Sequence, residues 1–159
     1  MTKAYEEMLE QLESILDPAY PEMSNLANAA AFLYEKLEQV NWAGFYLCDQ
    51  DALWLGPFGG KVACVKIGYG KGVCGTAWAE KKTQLVEDVH AFPGHIACDS
   101  ASASEIVVPL FKDGQVAGVL DIDSPIKGRF TLQDQEGLEA VGRLVETMLQ
   151  TKKTYGMIS

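Results

Sequence analysis

Apolar residues near the amino terminus recur at Ala4, Met8, Leu9, Leu12, Ile15 and Leu16, the three-and-four spacing of one helical face. Asp17-Pro18 closes that segment, because the residue before a proline avoids the α region. The spacing predicts an acidic amphipathic helix. A second helix is predicted from Ser24, a good N-cap, through the alanine-rich stretch 27–31 to about Val40. The pattern then changes: Trp42 to Leu47 and Ala52 to Phe58 are short aromatic-rich runs separated by Asp49-Gln50-Asp51, which reads as a hairpin. Val62 to Ile67 reads as another strand. Gly68, Gly70, Gly72 and Gly75 then let the backbone turn tightly ahead of a short helix around Thr76 to Glu80. Thr83 to Val86 reads as a further strand. Residues 90–104 follow neither period, contain Pro93-Gly94 and are long enough to count as a functional loop. Ile106 to Phe111 and Val116 to Ile122 are strongly β-prone runs joined through Asp113-Gly114. Thr131, with Asp134 three residues on, opens a last helix whose apolar positions are Leu138, Val141, Leu144, Val145 and Met148.

No internal repeat, linker or low-complexity tract interrupts this order, and it predicts an α+β fold in which helices pack on a sheet. The 159 residues are read as one domain over 1–159: amino-terminal helices at about 3–40, sheet and loops at about 41–124, and a carboxy-terminal helix at about 131–152. Hydrophobic residues at 48% and charged residues at 22% are ordinary for a globular chain and exclude long disorder. Thirteen Lys+Arg against 22 Asp+Glu give a formal charge of -9, which repels phosphate backbones and anionic lipid and argues against nucleic acid as a partner. No apolar run approaches the ~18 residues of a membrane span, and the first residues lack a signal peptide's basic start and apolar middle, so the expected location is cytoplasmic, with no membrane association. That bears on Cys48, Cys64, Cys74 and Cys98. A chain of this size needs no disulfide staples and a reducing cytosol would open them, so a bridge here is expected to be catalytic or absent.

Side chains alternate faces along a strand, so Asp121 and Asp123 share one face of Val119-Leu120-Asp121-Ile122-Asp123. Adjacent like charges raise the apparent pKa of the pair and can keep a proton available near neutral pH; the plainer reading is solvation of a strand end. Whether Glu105 joins them depends on the hairpin. A two-residue Asp113-Gly114 loop would pair Lys112 with Gln115 and put Glu105 on the opposite face, whereas a three-residue loop over Lys112-Asp113-Gly114 pairs Phe111 with Gln115 and brings Glu105 opposite Asp121. The three-residue loop is predicted; Pro109, which cannot donate to the ladder, could add a bulge of its own. Cys98 sits in the small, polar run Gly94-His95-Ile96-Ala97-Cys98-Asp99-Ser100, where a ligand could reach a thiol, although free cysteines are more often buried and inert. Trp42 and Tyr46 share a strand face and could wall an apolar pocket or simply pack in the core. His95 could orient a substrate or satisfy loop carbonyls. His90, His95 and Cys98 lack the CxxC or HxxxH spacing of zinc sites, so no metal is expected, and Cys48 reads as filler at a strand end.

Seven strings in order resemble the free methionine-(R)-sulfoxide reductases: Asn41-Trp42-Ala43-Gly44-Phe45-Tyr46-Leu47, Gly56-Pro57-Phe58, Ala63-Cys64-Val65, Gly70-Lys71-Gly72-Val73-Cys74-Gly75, Gly94-His95-Ile96-Ala97-Cys98-Asp99, Ser104-Glu105-Ile106 and Leu120-Asp121-Ile122-Asp123-Ser124. The resemblance runs from Asn41 to the last helix and, loosely, through the first two. It implies a stand-alone GAF domain, a mainly antiparallel sheet with packed helices, that reduces the free amino acid. By the same resemblance Cys98 is the catalytic cysteine, Cys64 the main resolving cysteine, and Cys74 a third that can also form a bridge. Trp42 and Tyr46 match the pocket around the substrate's methyl group, and Glu105, Asp121 and Asp123 the acids that bind substrate and assist the sulfoxide chemistry. No cofactor is implied beyond thioredoxin or another external dithiol, and a homodimer is suggested. The competing reading is a GAF module that senses a small molecule without catalysis; it leaves the grouping of thiols and acids without a reason.

Overall fold

In β1 (Trp42–Asp49), Ala43, Phe45 and Leu47 pack into one hydrophobic core while Trp42 and Tyr46 pack into a second, so strand alternation divides the molecule into two sides. The computed structural model describes residues 1–95 and 101–150. β1 is followed by β2 (Ala52–Gly60), β3 (Lys66–Gly68), β4 (Gln84–Val86), β5 (Ser104–Lys112) and β6 (Gln115–Ser124), and the six strands form one sheet in the order β3-β2-β1-β6-β5-β4, every neighbour antiparallel. The larger core lies between one face and the helices α1 (Lys3–Ile15), α2 (Glu22–Lys36) and α4 (Leu132–Glu146); Phe45, Ile106, Leu110, Leu120 and Ile122 meet Leu12, Leu26, Leu33, Leu138 and Val141 there. On the other face α3 (Gly72–Glu80) contributes Val73, Cys74 and Ala77 to the smaller core. No described helix is long and apolar enough to cross a membrane.

The α+β architecture and both sheet hairpins follow the hydrophobic pattern, and the capping box predicted from Thr131 and Asp134 is present: Asp134 N donates to Thr131 Oγ1 at 3.2 Å and Thr131 N to Asp134 Oδ2 at 2.8 Å. Boundaries differ where another interaction takes precedence. α2 starts at Glu22, behind Pro21 with its preset φ of -55°, and not at Ser24. It stops at Lys36 because Leu37 is extended, short of Val40. α4 ends at Glu146. α3 starts at Gly72, four residues ahead of Thr76. The expected strand over 62–67 contracts to Lys66–Gly68: Gly60, at φ 136°, turns the chain away, and Trp42 Nε1 and Tyr46 Oη donate to the carbonyls of Lys61 and Cys64 at 3.1 and 2.8 Å.

The hairpin between β5 and β6 corrects the predicted register. Asp113 and Gly114 both take positive φ, 54° and 79°, and form a two-residue turn of the mirror-image kind that matches strand twist, with Lys112 opposite Gln115. Left alone, that turn would send Glu105 to the helix side. One residue later the ladder slips: Phe111 pairs with Val116 but Leu110 with Gly118, so Ala117 is extra. The bulge restores parity, and Glu105 pairs with Asp123 instead of Asp121 while sharing the face of both aspartates.

Candidate functional site

Glu105, Asp121 and Asp123 project from adjacent strands on the side away from α1, α2 and α4, with Val107 paired to Asp121 between them. Glu105 and Asp121 are each only 6% exposed, and Asp123 is half-buried. Neither Glu105 nor Asp121 forms an ion pair among the described residues. Burial, the largest influence, followed by the charges of Asp121 and Asp123, holds the Glu105 carboxyl well above the usual carboxylate range. Burial pushes Asp121 up as well, against donors from Glu105, Cys74 and Asp123 that favour its ionised form. Among the described residues Asp121 Oδ1 is buried without a partner in ordinary hydrogen-bond geometry. A proton shared by this pair at neutral pH is the arrangement that relieves both groups.

α3 brings the first thiol. Its amino-terminal turn lies flat against the glycine segment, because Gly75 leaves no room for a Cβ, which would stand 2.5 Å from the Gly68 carbonyl oxygen. That contact sets Cys74, two residues inside the helix, over β6: one sulfur and one oxygen each of Glu105 and Asp121 lie within 4.8 Å of one another. A helix amino terminus normally favours thiolate, but here burial first, and the three acids second, push the Cys74 thiol well up, so it stays protonated. Among the described residues these are the donor atoms close enough together to share a cation.

The aromatic wall does two things. Phe58, Trp42 and Tyr46 stack in sequence, with centroids 5.0 Å and 5.8 Å apart. The polar tips of Trp42 and Tyr46 at the same time hold the segment 61–64 across the mouth, through the two carbonyl contacts above. Burial and the nearby acids push the Tyr46 hydroxyl up, so it remains a donor. Cys64 sits half-buried in this segment and is disulfide-bonded, whereas Cys48 and Cys74 carry free thiols. Trp42, Tyr46, Cys74 and the three acids line one cavity, which Ala63 and Val62 reach from the held segment.

Of the residues singled out from sequence, the cavity gathers Trp42, Tyr46, Cys74, Glu105, Asp121 and Asp123, and Cys64 stands beside its wall. Cys98 lies outside the described residues; His95 and Ser102, on either side of it in the chain, both line the cavity. His95 is held below the usual histidine range by burial first and His90 second, their rings 6.4 Å apart, and is neutral at physiological pH. Cys48 is elsewhere, at the far end of β1 opposite Leu53, with burial pushing its thiol up to about 12. Lys71 and the buried Ser102, which accepts from Asn41 Nδ2 at 3.4 Å, also line the cavity and were not foreseen. Lys71 adjoins the glycines and carried a usable signal as the one cation there; Ser102, among small loop residues, carried none.

The GAF domain model matches residues 7–149. A free methionine-R-sulfoxide reductase from Escherichia coli is 50% identical over 161 residues, covering 99% of this chain and 98% of its own. The crystal structure of a free methionine-R-sulfoxide reductase from Neisseria meningitidis in complex with its substrate superposes with a TM-score of 0.87 at 46% identity, covering 93% of this chain and 90% of that one. The reduced form of the fRMsr of Staphylococcus aureus superposes at 0.88 with 51% identity, covering 91% and 95%.

Proposed function

The chain belongs to the GAF-domain free methionine-R-sulfoxide reductases, and from that membership we propose that it reduces free L-methionine-(R)-sulfoxide to methionine at the cavity between β5, β6 and α3. The observation that carries the chemistry is the buried Glu105–Asp121 pair, which retains a proton where no ion pair among the described residues neutralises it. A sulfoxide is a poor electrophile until its oxygen is protonated. In the proposed reaction the carboxyl pair gives that proton while the thiolate of Cys98 attacks sulfur; the protonated oxygen then passes from the substrate sulfur to the Cys98 sulfur as the bond between the two sulfurs breaks, so methionine leaves reduced and Cys98 is oxidised to a sulfenic acid. The Cys64 thiol then condenses with the sulfenic acid, releasing water and forming a disulfide. Thioredoxin or another external dithiol reopens it, taking up the oxidation as its own disulfide.

Two features support Cys64 over Cys74 as the resolving thiol: Cys64 is disulfide-bonded, and Cys74 is held protonated among acids, which makes it a poor attacking group. Asp123, half-buried beside the pair, is suited to the substrate's ammonium. That preference selects the free amino acid, since a peptide presents a neutral amide there. Trp42 and Tyr46 receive the methyl end.

The test offers free and peptide-bound methionine sulfoxide, each as R and S, with thioredoxin and its reductase, and follows reductant use. Turnover is expected with the free R form alone. Equal turnover of the peptide-bound form would overturn the ammonium role of the acids, and no turnover with any form would leave a binding module.

A further inference from the structure

From Ala52 to Ala79 the chain carries no aspartate or glutamate, in a protein whose 22 acidic residues set a formal charge of -9. The same stretch carries Lys61, Lys66 and Lys71, all exposed, and none of them forms an ion pair among the described residues. It folds as β2, the segment 61–65, β3 and α3, and the acids that face it are Glu105, Asp121 and Asp123, which line the cavity with Lys71 and Val62; the first two are buried and held toward their neutral forms, so the exposed charge of the stretch is that of its lysines. β1 adds one acid, Asp49, at the turn into β2, where it pairs with Ala52, itself paired to Gly68.

That flank is also apolar. Val62 is 87% exposed and Val65 60%, and they stand on either side of the half-buried, disulfide-bonded Cys64. Lys66 lies with its ammonium 5.5 Å from the ring of Trp54, itself 38% exposed, and so extends the surface along β2. Two exposed valines bracketing a bridged sulfur leave apolar area unused in the folded chain, and hydrogen bonds from Trp42 and Tyr46 keep the segment that presents them in place.

We propose that this flank docks the protein that regenerates the enzyme: a dithiol oxidoreductase with an apolar rim around its reactive pair and acidic residues beyond that rim. The inference rests on the disulfide cycle described above and names the surface it uses. A partner thiolate attacks the sulfur of Cys64, releasing the other cysteine of the bridge as a thiol and leaving a mixed disulfide. The second partner thiol then displaces Cys64, so the partner ends as a disulfide and both enzyme thiols are restored. The valines supply the contact area at the point of attack. The lysines steer an acidic partner to a molecule that elsewhere repels it, an effect expressed in the association rate and weakened by salt.

The experiment compares two reductants, thioredoxin with its reductase and dithiothreitol, on the wild type and on Val65→Asp and Lys66→Glu, residues that do not line the cavity. The wild type is expected to lose thioredoxin-dependent kcat/KM several-fold as NaCl is raised, with little change for dithiothreitol. Each variant is expected to lose about tenfold or more with thioredoxin and to keep the wild-type rate with dithiothreitol. Unchanged thioredoxin kinetics in both variants, or an equal loss with both reductants, overturns the docking surface. So does a change in sedimentation mass in the variants, which would make the flank a contact between copies of this chain. Absence of dithiothreitol-driven turnover in the wild type overturns the reductase reading itself, and this surface with it.

Discussion

Each carboxyl of the Glu105–Asp121 pair binds a proton more tightly in the fold than in the unfolded chain, because burial penalises the charged form. The folded state then holds more protons than the unfolded one above the ordinary carboxylate range, and stability declines as pH rises from there toward the raised values. Glu105→Gln removes the share of that dependence carried by Glu105. The variant is expected to melt above the wild type at pH 8 and close to it at pH 4, by ~2–4 °C for each kcal/mol of relief, while methionine formation is lost. Calorimetry at the two pH values checks this; a lower melting temperature at pH 8 would mean that the carboxylate is held ionised by a stabilising partner. The proposed reaction carries the same sign, because in it the pair gives a proton to the sulfoxide oxygen. The kcat/KM for free methionine sulfoxide is expected to fall on the alkaline side with a macroscopic pKa well above that of an ordinary carboxylate. Cys74 belongs to the same group: its protonated thiol beside Asp121 argues that Cys74→Ser keeps more activity than Cys64→Ser, read as steady turnover with dithiothreitol.

The β5–β6 hairpin decides whether three acids meet or only two. Its two-residue turn needs left-handed backbone at both Asp113 and Gly114, so Gly114→Ala is expected to cost about 1–2 kcal/mol in denaturant unfolding. Its kcat/KM should stay at the wild-type value, since the acids lie at the opposite end of the strands; a tenfold loss would show that the turn and the bulge at Ala117 are linked. The same hairpin shows what could be read in advance. Asp121 and Asp123 share a face by alternation alone, and Trp42 with Tyr46 likewise, so both groupings were legible. Glu105 reaches the expected face by a different route, a shorter turn compensated by a bulge, because alternation records parity and not register. The segment 61–65 has the local pattern of a strand, yet its carbonyls are taken by the tips of Trp42 and Tyr46, residues some twenty positions away that local pattern cannot weigh. Cys74 beside Asp121 was beyond pattern for the same reason: α3 and β6 meet only in the fold.

At the scale of the molecule, the sheet separates the larger core from the side that carries the candidate site. On the first, Tyr5 of α1 donates to Asp134 at 2.7 Å, and Asp134 also accepts from Arg129 at 3.1 Å while capping α4, so one buried carboxylate ties the first helix to the last. Tyr5→Phe is expected to cost about 1–3 kcal/mol, because a buried carboxylate loses a donor, and to leave kcat/KM unchanged, because the sheet lies between it and the cavity. Denaturant unfolding and steady-state kinetics on one preparation test both halves of that statement. On the second side, Glu105, Asp121, Asp123, Cys74, Trp42 and Tyr46 line one cavity, where the proposed reaction would have a sulfoxide protonated and attacked together. The most direct test of that claim is a single-turnover measurement on Cys64→Ser with excess free methionine-(R)-sulfoxide, counting methionine released and locating the added oxygen by mass spectrometry. The account predicts about one methionine per chain, then a stop, with a trappable sulfenic acid on Cys98. Continued turnover at the wild-type rate, or methionine release with the oxygen found on another residue, would contradict it.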